Sequence, residues 1–159
     1  MMLAENLVVP TKFWLATEPP RAADLSGEQG EPLAMGISKL RILIVEDEFF
    51  IALDTEAALT ELGHSSVGIA VSCEQAVDIA GRERPDVVLM DIRLAGGRDG
   101  IDAAEEILTR FGIRSVFVTA DTDPLTRRRA AAVDPVGILE KPLSLERLCA
   151  TLDILARLP

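Results

Sequence analysis

From residue 39 to residue 159, short apolar runs alternate with segments whose apolar positions recur at helical spacing. The runs are Arg41–Glu46 (RILIVE), Ser66–Val71, Asp86–Asp91 (DVVLMD), Arg114–Thr119 (RSVFVT) and Val136–Glu140. Each is short, and most are rich in β-branched residues, as buried strands are. Asp47–Leu62 reads as a helix, with Ile51, Ala58 and Leu62 on one side and Phe50, Leu53 and Ala57 widening the stripe. Gly63 suits its stop. Ser72 followed by Gln75 has the form of a capping box and opens a second helix to about Arg84. Ile101, Ala104, Leu108 and Phe111 recur on one face of a third helix. Asp123–Pro124 opens a short fourth helix, with proline in its first turn. Leu145, Leu148, Leu152 and Leu155 mark the fifth. Five near-continuous apolar strands, each followed by a helix, predict an α/β domain with a five-stranded parallel doubly wound sheet, buried on both faces.

Residues 1–38 break this pattern. Four prolines and three glycines punctuate them, and no period persists for two turns. They read as an N-terminal extension to a domain at 39–159, either a flexible tail or, through the apolar stretch Leu7–Leu15 with Phe13 and Trp14, a docking segment. A net charge of −10 argues against nucleic acid as a direct partner, since phosphate neutralisation needs a basic face. One Trp, five Phe and no Tyr make an aromatic stacking platform a poor reading. Cys73 and Cys149 are too few for a disulfide scaffold and read as buried thiols in a reducing compartment. No apolar run approaches the ~20 residues that span a bilayer, and the N-terminus lacks the form of a signal peptide. The expectation is a cytoplasmic protein without a membrane partner.

Ligands of a doubly wound sheet sit at the carboxyl ends of its strands. Strand one ends in Glu46–Asp47–Glu48, strand three in Asp91, strand four in Thr119 and strand five in Glu140–Lys141–Pro142. Carboxylates held close together need compensation to stay ionised. A hard divalent cation such as Mg²⁺ supplies it, taking carboxylates, waters and phosphate oxygens as ligands. Lysine offers a movable charge for phosphate, and a threonine hydroxyl and backbone N–H groups can hold phosphoryl oxygens. This equipment suits phosphoryl transfer, where positioning and neutralisation of charge do most of the work.

At these residues the chain resembles the receiver domain of two-component response regulators. The matching stretches are LIVEDE (43–48), VVLMDIRL (87–94), FVTA (117–120) and LEKPL (139–143). The intervals of 44 residues from Asp47 to Asp91 and 22 from Thr119 to Lys141 agree with that family. The resemblance spans about residues 40–158 and implies a flavodoxin-like fold with strand order 2-1-3-4-5. It implies that Asp91 is the phosphoacceptor, Asp47 the direct Mg²⁺ ligand and Glu46 an outer ligand through water. The backbone carbonyl of Arg93 would complete the metal shell. Thr119 would read the phosphoryl group, Lys141 would be its cationic partner, and Lys141–Pro142 would be a cis peptide. Glu48 is expected to face solvent, Arg127–Arg129 to be a solvated helix face, and His64 is not placed like a phosphodonor.

Two features depart from the family pattern. Ile138 stands where the family usually has an aromatic residue, so a ring switch between outward and inward positions cannot operate. The glycine-rich loop Ala95–Gly100 is about one residue longer than common. The segment 120–132, with its proline and short helix, is where mobility is expected. No output domain follows the fifth helix. The resulting expectation is a single-domain response regulator that accepts a phosphoryl group from a histidine kinase or histidine phosphotransfer protein. It would signal by binding an unknown downstream protein, with homodimer formation open. It would not be an enzyme beyond catalysing its own phosphoryl transfer and assisting hydrolysis. The main alternative is a non-phosphorylated receiver-like binding module, which the intact acid–acid–Thr–Lys set speaks against. An unrelated doubly wound enzyme or flavin carrier is disfavoured, because no glycine-rich phosphate loop follows strand one.

Overall fold

A computed structural model describes residues 38–120 and 123–156. The extension 1–38 therefore lies, apart from Ser38, outside the described residues, and so does its apolar stretch Leu7–Leu15. The elements follow in the order β1 (Arg41–Val45), α1 (Phe49–Glu61), β2 (Ser65–Ala70), α2 (Cys73–Glu83), β3 (Val87–Met90), α3 (Gly100–Phe111), β4 (Ser115–Thr119), α4 (Pro124–Ala132), β5 (Gly137–Glu140) and α5 (Leu145–Ala156). The strands pair in parallel in the order β2-β1-β3-β4-β5. This is the expected doubly wound topology, with β1 and β3 adjacent where the strand order reverses.

The two faces of the sheet carry separate cores, because successive residues of a strand point to opposite sides. Ile42, Ile44, Val87, Leu89, Val116 and Val118 meet Ala52 and Leu59 of α1 and Leu148 and Leu152 of α5. Leu43, Val45, Val88, Met90 and Phe117 meet α2, α3 and Ala130 of α4. The leucine stripe expected of α5 lies as predicted, with Leu148 and Leu152 fully buried.

The stripe expected of α1 holds only in part: Ala58 and Leu62 pack against the core, but the widening residues Phe50, Leu53 and Ala57 are exposed. Ala52 and Leu59 are its buried residues. Phe50 is 79% exposed and Leu53 40%, so both stand on the outer side with Phe49. The helix begins at Phe49, two residues later than the sequence suggested, and it is apolar around much of its circumference. Periodicity then chooses the buried side only in part.

The caps also differ from expectation. Ser72 accepts from the backbone N–H of Gln75, but the Gln75 side chain accepts from Val71 N–H and not from Ser72. The reciprocal capping box lies instead at α3, between Asp99 and Asp102. Gly63 has φ +83°, the left-handed conformation suited to its stop after α1. Cys73 is buried as expected, but Cys149 is only half-buried; neither is in a disulfide.

Candidate functional site

The carboxyl ends of β1 and β3 lie side by side, with Val45 opposite Met90. The residues that follow these partners therefore emerge together. Glu46 extends β1 by donating its N–H to Ala70 O, and Asp91 donates its N–H to Val45 O. Oxygen atoms of Glu46, Asp47 and Asp91 lie within 4.8 Å of one another. Glu46 and Asp91 are buried, and Asp47 is exposed at the mouth. Glu48 faces solvent, as expected, although its backbone N–H donates to Glu46 Oε1 at 3.2 Å.

Lys141 arrives from β5. That strand is carried one residue further by a hydrogen bond from Lys141 N–H to Thr119 O, 2.9 Å. The Lys141 ammonium donates to Glu46 Oε2 at 2.7 Å and to Asp91 Oδ2 at 2.5 Å. The Lys141–Pro142 peptide is cis. Thr119 ends β4, is 1% exposed and pairs in register with Glu140. Arg93 contributes a backbone N–H to Asp91 Oδ1 at 3.0 Å.

The Lys141 ammonium thus pairs with two of the three clustered carboxylates, while Asp47 accepts from a backbone N–H, that of Ala95. Burial is the largest influence on Glu46 and raises its carboxyl above the ordinary value; hydrogen bonds from Lys141 and the Glu48 N–H oppose this without cancelling it, and the Asp91 charge adds to it. Burial alone would lower Lys141, but hydrogen bonds and charge from Asp91 and Glu46 outweigh it and hold the ammonium above its ordinary value. Such a cluster is chemically fitted to a hard divalent cation, which takes carboxylate oxygens and leaves room for water and phosphate.

Sequence reasoning missed the residues that hold the loop after Asp91. Ala95 N–H donates to Asp47 Oδ2 at 3.0 Å, tying this loop to β1. Gly100 opens α3 against the Asp91 backbone: a Cβ there would lie 1.9 Å from Asp91 O, and Gly100 N–H donates to Ile92 O. The signal available was Asp99–Gly100 itself, a cap residue followed by the smallest residue three positions before a buried alanine. Asp99 Oδ1 accepts from the N–H groups of Ile101 and Asp102.

The basic run of α4 is not simply a solvated face. Arg127 pairs with Glu140, and Arg129 pairs with Asp99 at 2.6 Å and Asp102 at 3.4 Å. Arg128 between them is exposed. Ile138 is half-buried against the α2–α3 core and pairs in register with Phe117. Among the described residues, no helix is long and apolar enough to cross a membrane.

Comparison with known proteins agrees with this arrangement. The family model of the response regulator receiver domain matches residues 42–153. The phyllosphere-induced regulator PhyR of Methylorubrum extorquens is 36% identical over 135 residues, which are 84% of this chain and 49% of that protein. The transcriptional regulatory protein PdtaR of Mycobacterium tuberculosis is 36% identical over 114 residues, 72% of this chain and 55% of that protein. The chain therefore spans about half the length of these relatives. The signal receiver domain of a modulated diguanylate cyclase from Desulfovibrio desulfuricans G20 superposes with a TM-score of 0.71 at 32% identity, covering 75% of this chain and 94% of that one.

Proposed function

The chain belongs to the response regulator receiver domain family, and on that premise we propose that it accepts a phosphoryl group on Asp91 and signals through the resulting change of shape. The observation that carries this reading is the buried Asp91 carboxylate at the switch point, bonded by Lys141 and flanked by Glu46 and Asp47. In the reaction, an Asp91 carboxylate oxygen attacks phosphorus, the bond from phosphorus to the donor breaks, and the leaving group departs with its electron pair. The product is an acyl phosphate on Asp91.

The chain's own groups position and neutralise. Lys141 releases one carboxylate contact and follows the new negative charge. Arg93 N–H, on Asp91 Oδ1, keeps the carboxylate oriented. Thr119, buried at the end of β4, is the hydroxyl for a phosphoryl oxygen. Glu46, Asp47, Asp91 and the Arg93 carbonyl would hold Mg²⁺, which supplies charge neutralisation between carboxylates and phosphate when bound. The donor is a histidine kinase or histidine phosphotransfer protein, and the output is a protein partner.

Intact mass after incubation with Mg²⁺ and acetyl phosphate tests this. Wild type should gain one phosphoryl group and Asp91→Asn none. Normal uptake by the variant would move the acceptor elsewhere.

A further inference from the structure

Lys141 belongs to the acceptor site and also to the wall of a neighbouring cavity of about 490 Å³. Ile51 and Ala58 of α1, Val118 of β4, and Pro142 and Leu143 after β5 give that cavity apolar walls. Its polar lining is Asp54 and Thr55 of α1. Lys141 offers it only a methylene stem, because the ammonium is held by Glu46 and Asp91. Asp54 is exposed and, among the described residues, forms no ion pair. The lining thus combines apolar surface, one uncommitted carboxylate and a hydroxyl, with no uncommitted cation.

We propose that this cavity binds a small amphipathic amine, and that its occupancy opposes phosphorylation of Asp91. The apolar body would lie against Ile51, Val118 and Leu143, with the ammonium on Asp54. The volume and the mostly apolar walls, drawn from three separate elements, suit a single small molecule. The charges choose its head group. An anion would meet the Asp54 carboxylate and find Lys141 already bonded twice. A cation gains Asp54 and is drawn by a chain whose net charge is −10. The link to the acceptor rests on the phosphoacceptor reading above. The cavity has its present shape while Lys141 spans Glu46 and Asp91, so a body packed along the lysine stem favours that arrangement. A phosphoryl group draws the ammonium off one carboxylate and favours another arrangement. Two ligands that prefer different arrangements weaken each other, and by the same factor. Neither the Asp91 backbone nor α3 has to move for this, since the lysine side chain is the shared part.

Methyl NMR of the full chain tests this, with titrations of 4-phenylbutylamine and 4-phenylbutyrate, which share a body and carry opposite heads. The amine should shift the methyl signals of Ile51, Ala58, Val118 and Leu143 with a Kd of about 1 mM, as expected of a ligand of that size. It should bind about tenfold more tightly than the carboxylate. Asp54→Asn, at an exposed position, should weaken the amine about threefold and strengthen the carboxylate about as much. Ala58→Met, which fills the cavity from its α1 wall, should abolish the shifts in a protein whose other methyl signals stay dispersed. With Mg²⁺ and beryllium fluoride as the phosphoryl mimic, amine affinity should fall about fivefold relative to Mg²⁺ alone. Shifts that scatter over the surface, or that persist in Ala58→Met, would overturn the site. Equal affinity for the two heads would overturn the amine as its ligand. Uptake of a phosphoryl group from acetyl phosphate is read by intact mass on the same preparations. An unchanged amine affinity with the mimic, in a protein that gains phosphoryl mass, would overturn the link alone. A wild type that gains no such mass would overturn the phosphoacceptor reading and the link with it, and the titrations would still decide the cavity.

Discussion

Helices α3 and α4 each follow a strand that ends at the acidic site, yet they are built in opposite ways. α3 buries Gly100, Ile101, Ala103, Ala104 and Ile107, starts on a reciprocal capping box and stops at Gly112 in the left-handed conformation. α4 buries Ala130 and is capped by Asp123, whose Oδ2 accepts from Thr126 N–H at 2.8 Å. The difference separates two tasks. The element after the acceptor acts as a fixed wall, since a residue that must be attacked in line needs a backbone that does not wander. The element after the hydroxyl strand can respond, since a segment with few buried contacts opens at low cost.

The largest effect should come from breaking the wall. Gly100→Ala places a methyl group 1.9 Å from Asp91 O, where backbone and not a flexible side chain must yield. Overpacking of this kind costs about 3 kcal/mol. A urea titration of the variant should show a loss of that order, together with slowed phosphoryl uptake as Asp91 is displaced. A loss under ~0.5 kcal/mol would mean that α3 is as loosely seated as α4.

The wall and the responsive segment were unequally legible in the sequence. The strands and the convergence of Glu46, Asp47, Asp91 and Lys141 followed from apolar runs ending in polar residues, because a parallel sheet forces such ends onto one edge, whereas the strand order came only from the resemblance to receiver domains. The buried side of α1 was read only in part, through Ala58 and Leu62, because Phe49, Phe50 and Leu53 compete with Ala52 and Leu59 and a periodic signal loses direction when apolar residues surround a helix. Gly100 was hidden in a glycine-rich loop, since its requirement is a close approach to a backbone 9 residues away and not a local turn. The pairs of Arg127 and Arg129 lie 13 and 30 residues apart in sequence, beyond any periodic signal, so three consecutive arginines look like a solvated face.

The opposite end of the sheet offers a control that should leave the α3–α4 contrast untouched. His64, the one histidine, is 6% exposed, and its Nδ1 accepts from Leu40 N–H at 3.3 Å just before β1. Burial lowers its pKa from the ordinary 6.5, with the Asp153 charge opposing. With the folded value lowered, the unfolded chain binds the proton first as pH falls below 6.5. Stability from the neutral imidazole is therefore complete above that pH and is lost as pH falls through the folded value. His64→Leu should cost about 1 kcal/mol at pH 7.5, from the orphaned Leu40 N–H, and should flatten the decline below pH 6.5. An unchanged decline would assign it to the carboxylates. In both proteins the exchange rates of α3 and α4 should keep their ratio.

The smallest effect tests the responsive side directly. Leu125 sits in the first turn of α4, two residues after its cap, and 67% of it is in solvent. Truncating a core leucine removes transfer energy and leaves a cavity, together about 2–5 kcal/mol. Neither term applies to a side chain already in water, and alanine is the better helix former by a few tenths of a kcal/mol. Leu125→Ala should therefore change stability by less than ~0.5 kcal/mol in either direction, with an unchanged dependence on urea. A cost above about 1 kcal/mol would show that α4 is packed in solution through its apolar side, against something that covers Leu125. The ion pairs of Arg127 and Arg129 would then be secondary, and the contrast between a deeply seated α3 and a lightly seated α4 would fail. A null effect on stability, combined with weakened binding of a downstream partner to the phosphorylated form, would instead make Leu125 part of the surface that α4 presents when it moves. An exposed leucine beside a weakly held helix is the kind of apolar contact a partner can cover at little cost in ordering.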